Sequence, residues 1–377
     1  MTTPPVGRLT QPNPDAAHGA TSVTVVVPTF REAANIPHLI ARLQAIRENA
    51  GLDMELLLMD DDSDDGSVQL VESLALPWVR IVSRKGARSL SHAVIDGLKL
   101  AGGEVVVVMD AALSNPPEKI PELIAALKDG VDLAVGSRYV EGGSTAHRWG
   151  AIRWLNSRVA KLLALPLTSI KDPMSGIFAL RRSTLSAAHD FDPVGHNILL
   201  EIIVRCKCRT VVEVPIDLAH RRHGESKLSI REQLQYFQHL RRLYIHRYGT
   251  WSHLAQFLMV GASGLVVNLA VLTLCLRLDV RQRPAVLLAI IVSLTWNFAL
   301  NRRFSFSYAR HRSLIRQFGA FVAACSVGTL VNYFTTMALW QALTYKQLAA
   351  MIGVLAGTAF NFTANRYVVF RATHARS

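Results

Sequence analysis

Val105-Val-Val-Val-Met-Asp110-Ala-Ala-Leu-Ser-Asn-Pro-Pro-Glu118 decides the fold of the first half of this chain. Four β-branched valines followed by methionine make a short apolar run of the kind a buried parallel strand requires. The run stops at a carboxylate, and Pro116-Pro117 then opens a helix, because proline is tolerated in a helix's first turn. In an open α/β sheet, ligands sit beyond the carboxyl ends of the strands. Asp110 therefore stands either where a metal or nucleotide would lie or as the cap of the next loop, and this stretch alone leaves both open.

Similar runs flank it. Val23-Thr-Val-Val-Val-Pro28 reads as a first strand, with Asn35 placed to cap the helix that follows. Met54–Met59 reads as a second strand, ending in Asp60-Asp61-Asp62-Ser63-Asp64-Asp65-Gly66. Val79–Ser83 and Val131–Gly136 continue the series, with a helix expected over about Ser91–Ala101. Strands alternating with helical patterns predict a doubly wound parallel sheet. Its carboxyl ends carry Glu32, the Asp60–Asp65 cluster, Asp110 and Arg138.

The acidic cluster comes close to a calcium loop, with Asp61, Ser63, Asp65, Gly66 and Glu72 near EF-hand spacing. That loop needs a helix on its amino side, whereas Met54–Met59 is apolar and strand-like. A strand-end carboxylate that reads a ribose or base is the better account. The glycines form neither a GxGxxG nor a Walker pattern, so no dinucleotide or P-loop site is indicated.

With 377 residues the chain has room for two or three domains. Lys plus Arg number 41 against 28 Asp plus Glu, a formal net charge of +13, and 50% of residues are hydrophobic. Basic and apolar together favour an anionic membrane over nucleic acid as partner. Residues 1–21, rich in Pro, Thr and Ala without an apolar core, read as a disordered tail rather than a signal or transit segment. Cys206 and Cys208 have no second pair, and Cys275 and Cys325 lie in apolar runs. Reduced structural thiols are expected rather than zinc ligands.

Beyond residue 228 the character changes. Ile230, Leu234, Phe237, Leu240 and Tyr244 recur at helical spacing among Arg231, Arg241, Arg242 and Arg247. That is the pattern of a basic amphipathic helix in the headgroup layer, over 229–250, with ordinary domain packing as the alternative. The apolar stretches 254–276 and 318–343 are long enough to span a bilayer, and 284–300 and 347–364 are near the lower limit.

These four stretches form two hairpins that repeat at an offset of 64 residues. The shift superposes Phe257 on Phe321, Gly264 on Gly328, Asn268 on Asn332, Asn297-Phe298 on Asn361-Phe362, Asn301-Arg302 on Asn365-Arg366, and Phe306 on Phe370. The asparagines within the spans are expected to hydrogen-bond between helices, with a place on a substrate path as the alternative. Arg302, Arg303, Arg310, Arg312, Arg316, Arg366, Arg371 and Arg376 put the catalytic half and both termini on the cytoplasmic side, against Arg277, Arg281 and Arg283 opposite.

Six motifs follow one another in one order: Pro28-Thr-Phe-Arg-Glu32, Asp60-Asp61, Met-Asp110-Ala-Ala, Gly136-Ser-Arg138-Tyr, Asp172-Pro-Met-Ser-Gly176 and Arg221-Arg-His-Gly-Glu-Ser-Lys227-Leu. Together, over about residues 22–250, they resemble family 2 glycosyltransferases of the dolichol-phosphate mannose synthase, or polyprenyl-phosphate glycosyltransferase, type. The repeated hairpins resemble GtrA-like membrane domains. The resemblance implies an α/β GT-A (Rossmann-like) domain over 22–228, followed by the amphipathic helix and an all-α membrane domain of four transmembrane helices over 251–377. It implies an inverting, Mg²⁺- or Mn²⁺-assisted transfer of mannose or glucose from GDP-mannose or UDP-glucose to a dolichyl or undecaprenyl phosphate.

Carried onto this chain, the resemblance assigns Pro28, Phe30, Glu32, Leu58 and Asp60 to the nucleotide, and Asp110 to the metal and the donor diphosphate, with Ala111 and Ala112 beside it. Arg138, Arg153 and Ser157 would hold the acceptor phosphate, and Arg221 and Lys227 would close over the diphosphate. With Asp110, Arg138, Arg221 and Lys227 form the expected catalytic group.

The chain departs from the pattern where the charges matter. Asp-x-Asp becomes Asp110-Ala111-Ala112, Ser114 replaces the usual Gln, Asn197 a lysine, Ser89 a glycine and Arg31 an Asn. A catalytically weak scaffold that binds lipid phosphate or nucleotide-sugar, and a flippase of lipid-linked sugar, are the rival classes. The expected partners are the donor, the polyprenyl phosphate and the bilayer, without nucleic acid, and self-association stays open.

Overall fold

Val105–Val108 forms the central strand expected of it in the computed structural model, which describes residues 21–86, 88–145, 151–187, 191, 195, 197–218, 230–307, 313–344 and 346–370. The chain forms two compact units, Met1–Leu243 and Tyr244–Ser377. Of the expected tail over 1–21, residues 1–20 lie outside the described residues, as do Arg221 and Lys227.

The first unit runs β1 (Ser22–Thr29), α1 (Ile36–Asn49), β2 (Asp53–Asp60), α2 (Ser67–Leu74), β3 (Val79–Ser83), α3 (Leu90–Leu100) and β4 (Val105–Val108). It continues through α4 (Ile120–Ala125), β5 (Leu133–Ser137), β6 (Ser144–Thr145), α5 (Ala151–Ala164), β7 (Phe178–Arg181), α6 (Arg182–Leu185), α7 (Ile198–Arg205), β8 (Val211–Pro215), β9 (Asp217–Leu218) and α8 (Ile230–Tyr248). The α/β class expected of this region is observed. Seven strands form one sheet in the order β3-β2-β1-β4-β7-β5-β8, and β6 pairs with β9.

The valine runs explain why this sheet is covered on both sides. Val25 and Val107 enter one core cluster, while their neighbours Val26 and Val106 enter the other. Alternate residues of a strand face opposite ways, so a continuous apolar run fills two cores at once.

One feature corrects the expectation of an all-parallel sheet. β7 lies antiparallel between β4 and β5, with Phe178 opposite both Val108 and Val135. An antiparallel strand begins where its neighbours end. The loop 172–177 is therefore delivered to the carboxyl edge of the sheet, beside Asp110 and Arg138.

A second correction concerns Asn35. It occupies the cap position of α1, yet its side chain makes no capping bond and instead donates to Glu32 Oε2 at 2.6 Å. The helix expected directly after Pro116 also starts later, through a 3₁₀ turn at Pro117–Lys119.

On α8 the apolar positions part between two faces. His239, Leu240 and Leu243 are buried, while Leu234 and Phe237 stay 57% and 51% exposed. The Tyr236 hydroxyl donates to the Ala160 carbonyl on α5 at 2.8 Å.

The second unit holds α9 (Thr250–Arg277), α10 (Gln282–Leu300), α11 (Leu314–Trp340) and α12 (Lys346–Ala364). Among the described residues, three helical segments are long and apolar enough to cross a membrane: Thr250–Arg277, Arg283–Ser305 and Leu314–Trp340. Their large apolar side chains face outward, as with Val266 at 67% exposure and Ile315 at 81%.

The repeat is visible in the backbone. α10 runs on into a π-helical turn at Asn301–Ser305, and α12 into one at Asn365–Val369, an offset of 365 − 301 = 64 residues. Phe306 and Phe370, which follow the two turns, stack at 5.0 Å. The Asn297 carboxamide occupies the space a Cβ at Gly264 would need, and the Asn361 carboxamide does the same at Gly328. Only glycine allows that approach. Asn268 bonds between helices as expected, donating to Ser293 Oγ at 3.3 Å, whereas Asn332 accepts from Thr336 within its own helix.

Candidate active site at the carboxyl edge of the sheet

The strand order places a topological switch between β1 and β4, since the chain leaves β1 toward β2 and later returns on its other side at β4. Crevices at such points receive ligands in open α/β sheets. Pro28, Phe30 and Glu32 lie at the end of β1 and Asp110 at the end of β4.

Asp110 is half-buried and held from two sides. Its Oδ2 accepts from Asn115 Nδ2 at 2.7 Å and its Oδ1 from the Ser114 amide at 3.3 Å. A Cβ on Gly176 would lie 2.9 Å from that Asn115 nitrogen, so the 172–177 loop closes over the pair because residue 176 is glycine. The Ser114 hydroxyl is buried and has no hydrogen-bond partner among the described residues. Ala112, where a second carboxylate was expected, is 8% exposed. A half-buried carboxylate beside an unanswered hydroxyl is an all-oxygen donor set, which fits a hard divalent ion. Among the described residues there is no cluster of three or more His, Cys, Asp or Glu that would hold a metal without a ligand's help.

The Asp60 cluster is built differently. Asp60 is fully buried, its Oδ1 accepting from Thr29 Oγ1 at 3.2 Å and Ser63 Oγ at 2.6 Å, its Oδ2 from the Ser63 amide at 2.8 Å. Asp61 pairs with Arg84, which also bonds Asp96 at 2.9 Å, and Asp61 accepts from the Ser89 amide. Asp65 accepts from the Ala33 amide and from Ser67. Its burial opposes ionisation, but these hydrogen bonds outweigh that and hold its carboxyl below the usual range. Leu58 is fully buried in the core.

Arg31 forms a bidentate pair with Asp64 at 2.8 Å on both arms and has φ of 57°. That left-handed conformation suits Asn, the residue the resemblance led one to expect there, better than Arg. Ser89, by contrast, has an extended φ of −162°, so no glycine is needed. Arg31 and Arg88 both lie over the Phe30 ring, at 5.4 and 4.6 Å.

Arg138 meets fully buried Asp172 through Nε and Nη2, each at 2.7 Å, and its amide adds a third bond. Burial works against its charge, and the Asp172 hydrogen bonds more than offset this, raising the guanidinium above its ordinary value. Arg153 and Ser157 lie on α5, in the portion whose side chains fall outside the described residues. Asn197 precedes α7 and its amide nitrogen lies 2.7 Å from Met174 Sδ, on the same loop as Asp172. Burial pushes the Cys206 thiol up to about 11 and the Cys208 thiol to about 12, so both are inert at neutral pH.

Reading the residues in order missed Asn115, Asp172 as the partner of Arg138, and Arg88. Asn115 had a signal, since an amide five residues past a strand-end carboxylate can turn back on it. Asp172 stood within a quoted motif, but its role needed the direction of β7.

Residues 24–187 match the family model "Glycosyl transferase family 2", and residues 256–375 match "GtrA/DPMS, transmembrane domain". The chain is 36% identical over 353 residues to a dolichol-phosphate mannosyltransferase of Pyrococcus furiosus, covering 92% of this chain and 99% of that protein. It is 38% identical over 238 residues to one from Mycosarcoma maydis, covering 61% of this chain and 81% of the relative. Among solved structures, mannosyl-3-phosphoglycerate synthase from Rubrobacter xylanophilus overlaps at TM-score 0.48 and 18% identity, over 59% of this chain and 74% of that one. Similarity that runs through both the sheet and the membrane helices makes the chain a member of the dolichol-phosphate mannosyltransferase family, a membrane-bound family 2 glycosyltransferase with a GtrA/DPMS transmembrane domain.

Proposed function

We propose that this chain transfers a hexose, mannose or glucose, from a nucleotide-sugar such as GDP-mannose or UDP-glucose to a polyprenyl phosphate at the cytoplasmic face of a membrane. The observation that carries this reading is Asp110, clamped by Asn115 beside the unanswered Ser114 hydroxyl at the switch point of the sheet. It stands in a chain that shares nearly its whole length with a dolichol-phosphate mannosyltransferase.

The chemistry suits the residues present. An acceptor phosphate oxygen is anionic at neutral pH, so no general base is required. That oxygen forms a bond to the anomeric carbon as the bond from this carbon to the donor diphosphate breaks. The electron pair leaves with the nucleoside diphosphate, and the configuration inverts. The protein's task is to hold two anions together. Asp172 fixes the guanidinium plane of Arg138, which would meet the acceptor phosphate with Arg153 and Ser157 as further contacts, and Arg221 and Lys227 would lie over the diphosphate. Pro28, Phe30 and Glu32 line the nucleotide, flanked by Arg31 and Arg88. Mg²⁺ or Mn²⁺ would be held by Asp110 and the Ser114 hydroxyl together with donor phosphates and water, and would neutralise charge on the leaving group.

The membrane part fits a lipid acceptor. The exposed Leu234 and Phe237 of α8, among arginines, suit the headgroup layer, and α12 serves as a fourth span. Arginines after α10 and α12 put these ends and the catalytic unit on the cytoplasmic side.

The absence of carboxylate at Ala112 and of a cation at Asn197 favours a second reading, a scaffold that binds both ligands without efficient turnover. Purified protein with a panel of nucleotide-sugars and a short polyprenyl phosphate, with and without Mg²⁺ or Mn²⁺, separates the two. Lipid-linked hexose that requires acceptor and metal supports the enzyme. Binding of both ligands without product from any donor supports the scaffold.

A further inference from the structure

A buried histidine ties the amphipathic helix α8 to the loop that closes the candidate active site. His239 on α8 and Glu201 on α7 are both fully buried, with His239 Nδ1 3.7 Å from Glu201 Oε2. Glu201 also pairs with Arg205, one turn further along α7. The His239 ring hydrogen-bonds the Asn197 backbone carbonyl, at the start of that helix. Burial opposes its protonation, Glu201 and the Asn197 carbonyl favour it, and Arg242 and Arg205 oppose it, leaving the imidazole below its ordinary value. A neutral ring brings one N–H donor without adding a charge to the Glu201–Arg205 pair.

Packing alone does not call for this ring. Leu240 and Leu243, buried beside it on α8, fill that face with apolar side chains. A polar ring among them gives up its hydration and is tolerated only where it finds partners. Its partner Asn197 leads toward the chemistry.

The Asn197 amide nitrogen lies 2.7 Å from Met174 Sδ. Met174 belongs to the 172–177 loop, in which Asp172 takes three bonds from Arg138 and Gly176 closes over Asn115 and Asp110. A second contact fastens the same segment to α8. Gly195 has φ of 80°, and a Cβ there would lie 3.4 Å from Gln235 Cβ. The Gly195 carbonyl accepts from Ser91 Oγ on α3 at 2.7 Å. Helix α8 thus reaches the loop through Gly195 and Asn197. Asn197 stands where the resemblance led one to expect lysine, and here its amide serves as a link.

We propose that His239 is a positioning residue for hexose transfer: by holding Asn197 it fixes the 172–177 loop, and with it the plane of Arg138 and the enclosure of Asp110. Its part in turnover rests on the proposed function. The link itself rests on the contacts from α8 to the loop.

The test uses the full chain in lipid nanodiscs. It reads amide hydrogen exchange over 172–177 beside hexose transfer from GDP-mannose or UDP-glucose to a short polyprenyl phosphate. His239→Leu should leave thermal unfolding nearly unchanged, because an apolar side chain can replace a buried polar contact at little cost. It should speed loop exchange about tenfold while Val105–Val108 is unaffected, and lower kcat about tenfold with little change in donor KM. His239→Asn, which puts an amide donor near the Nδ1 position, should restore both to within about threefold. Slow loop exchange in folded His239→Leu overturns the proposal, as does a folded His239→Asn no better than leucine, or a rate loss confined to donor KM. Should His239→Leu fail to fold, Met174→Leu cuts the link at its other end with volume nearly kept, and should speed loop exchange about threefold. Unchanged exchange in that variant also overturns the proposal. Exchange requires no turnover, so failure of hexose transfer and failure of this link are read separately.

Discussion

Two strands of one sheet end in aspartates, and the two ends are built in opposite ways. At β2, Asp60 is fully buried and satisfied by Thr29 and Ser63, while Asp61, Asp64 and Asp65 bind Arg84, Arg31 and backbone amides. At β4, Asp110 stands half-buried beside a hydroxyl with no partner among the described residues. The denser cluster is answered within the protein, and the proposed ligand site is the sparser one. Density of charge is thus a poor guide to chemistry. Unanswered polar atoms are a better one.

The comparison breaks if substitutions at the two ends behave alike. Asp110→Asn should have the largest effect, lowering hexose transfer about a hundred- to a thousandfold, or about 2.7–4 kcal/mol. Its melting temperature should move little, and rates at saturating metal beside thermal unfolding check both. Asp61→Asn should reverse that pattern. It breaks a largely buried ion pair and a bond to the Ser89 amide, costing about 2–3 kcal/mol of stability because Arg84 keeps Asp96. Denaturant unfolding reads that loss, with nucleotide affinity retained in the folded fraction.

A smaller effect sharpens the contrast through pH. The Asp65 carboxyl lies below the ordinary range in the folded state. Its contribution is therefore present above the unfolded pKa of about 4 and is lost as pH falls through the lower folded value. Asp65→Asn should lower stability slightly at neutral pH and flatten this acid limb of the stability curve. An unchanged acid limb would show that Asp65 is not part of the scaffold.

Much of this was legible in residue order, for reasons that can be named. The valine runs announce strands because a strand buried on both faces must be apolar throughout. The 64-residue offset announces paired hairpins because Asn297 meets Gly264 in the first and Asn361 meets Gly328 in the second. What stayed hidden is non-local. Phe178–Arg181 is too short to reveal its direction, and that direction brings Asp172 to Arg138 and Gly176 to Asn115. The partners of the Asp60 cluster, Thr29, Ala33 and Arg84, stayed hidden because they come from separate elements. Among the described residues, three apolar helices are long enough to cross a membrane.

The proposed role of Asp110 in answering the charge of the donor diphosphate is tested most directly at position 112. Ala112 is buried two residues beyond Asp110, in the loop that Asn115 and Gly176 close. A carboxylate there would supply the missing ligand. Measured as lipid-linked hexose formed at saturating Mg²⁺ or Mn²⁺, this chain should turn over slowly and Ala112→Asp should raise the rate about ten- to a thousandfold. A variant that folds, binds nucleotide and lipid phosphate, and shows no gain would contradict the claim and leave the scaffold as the better reading.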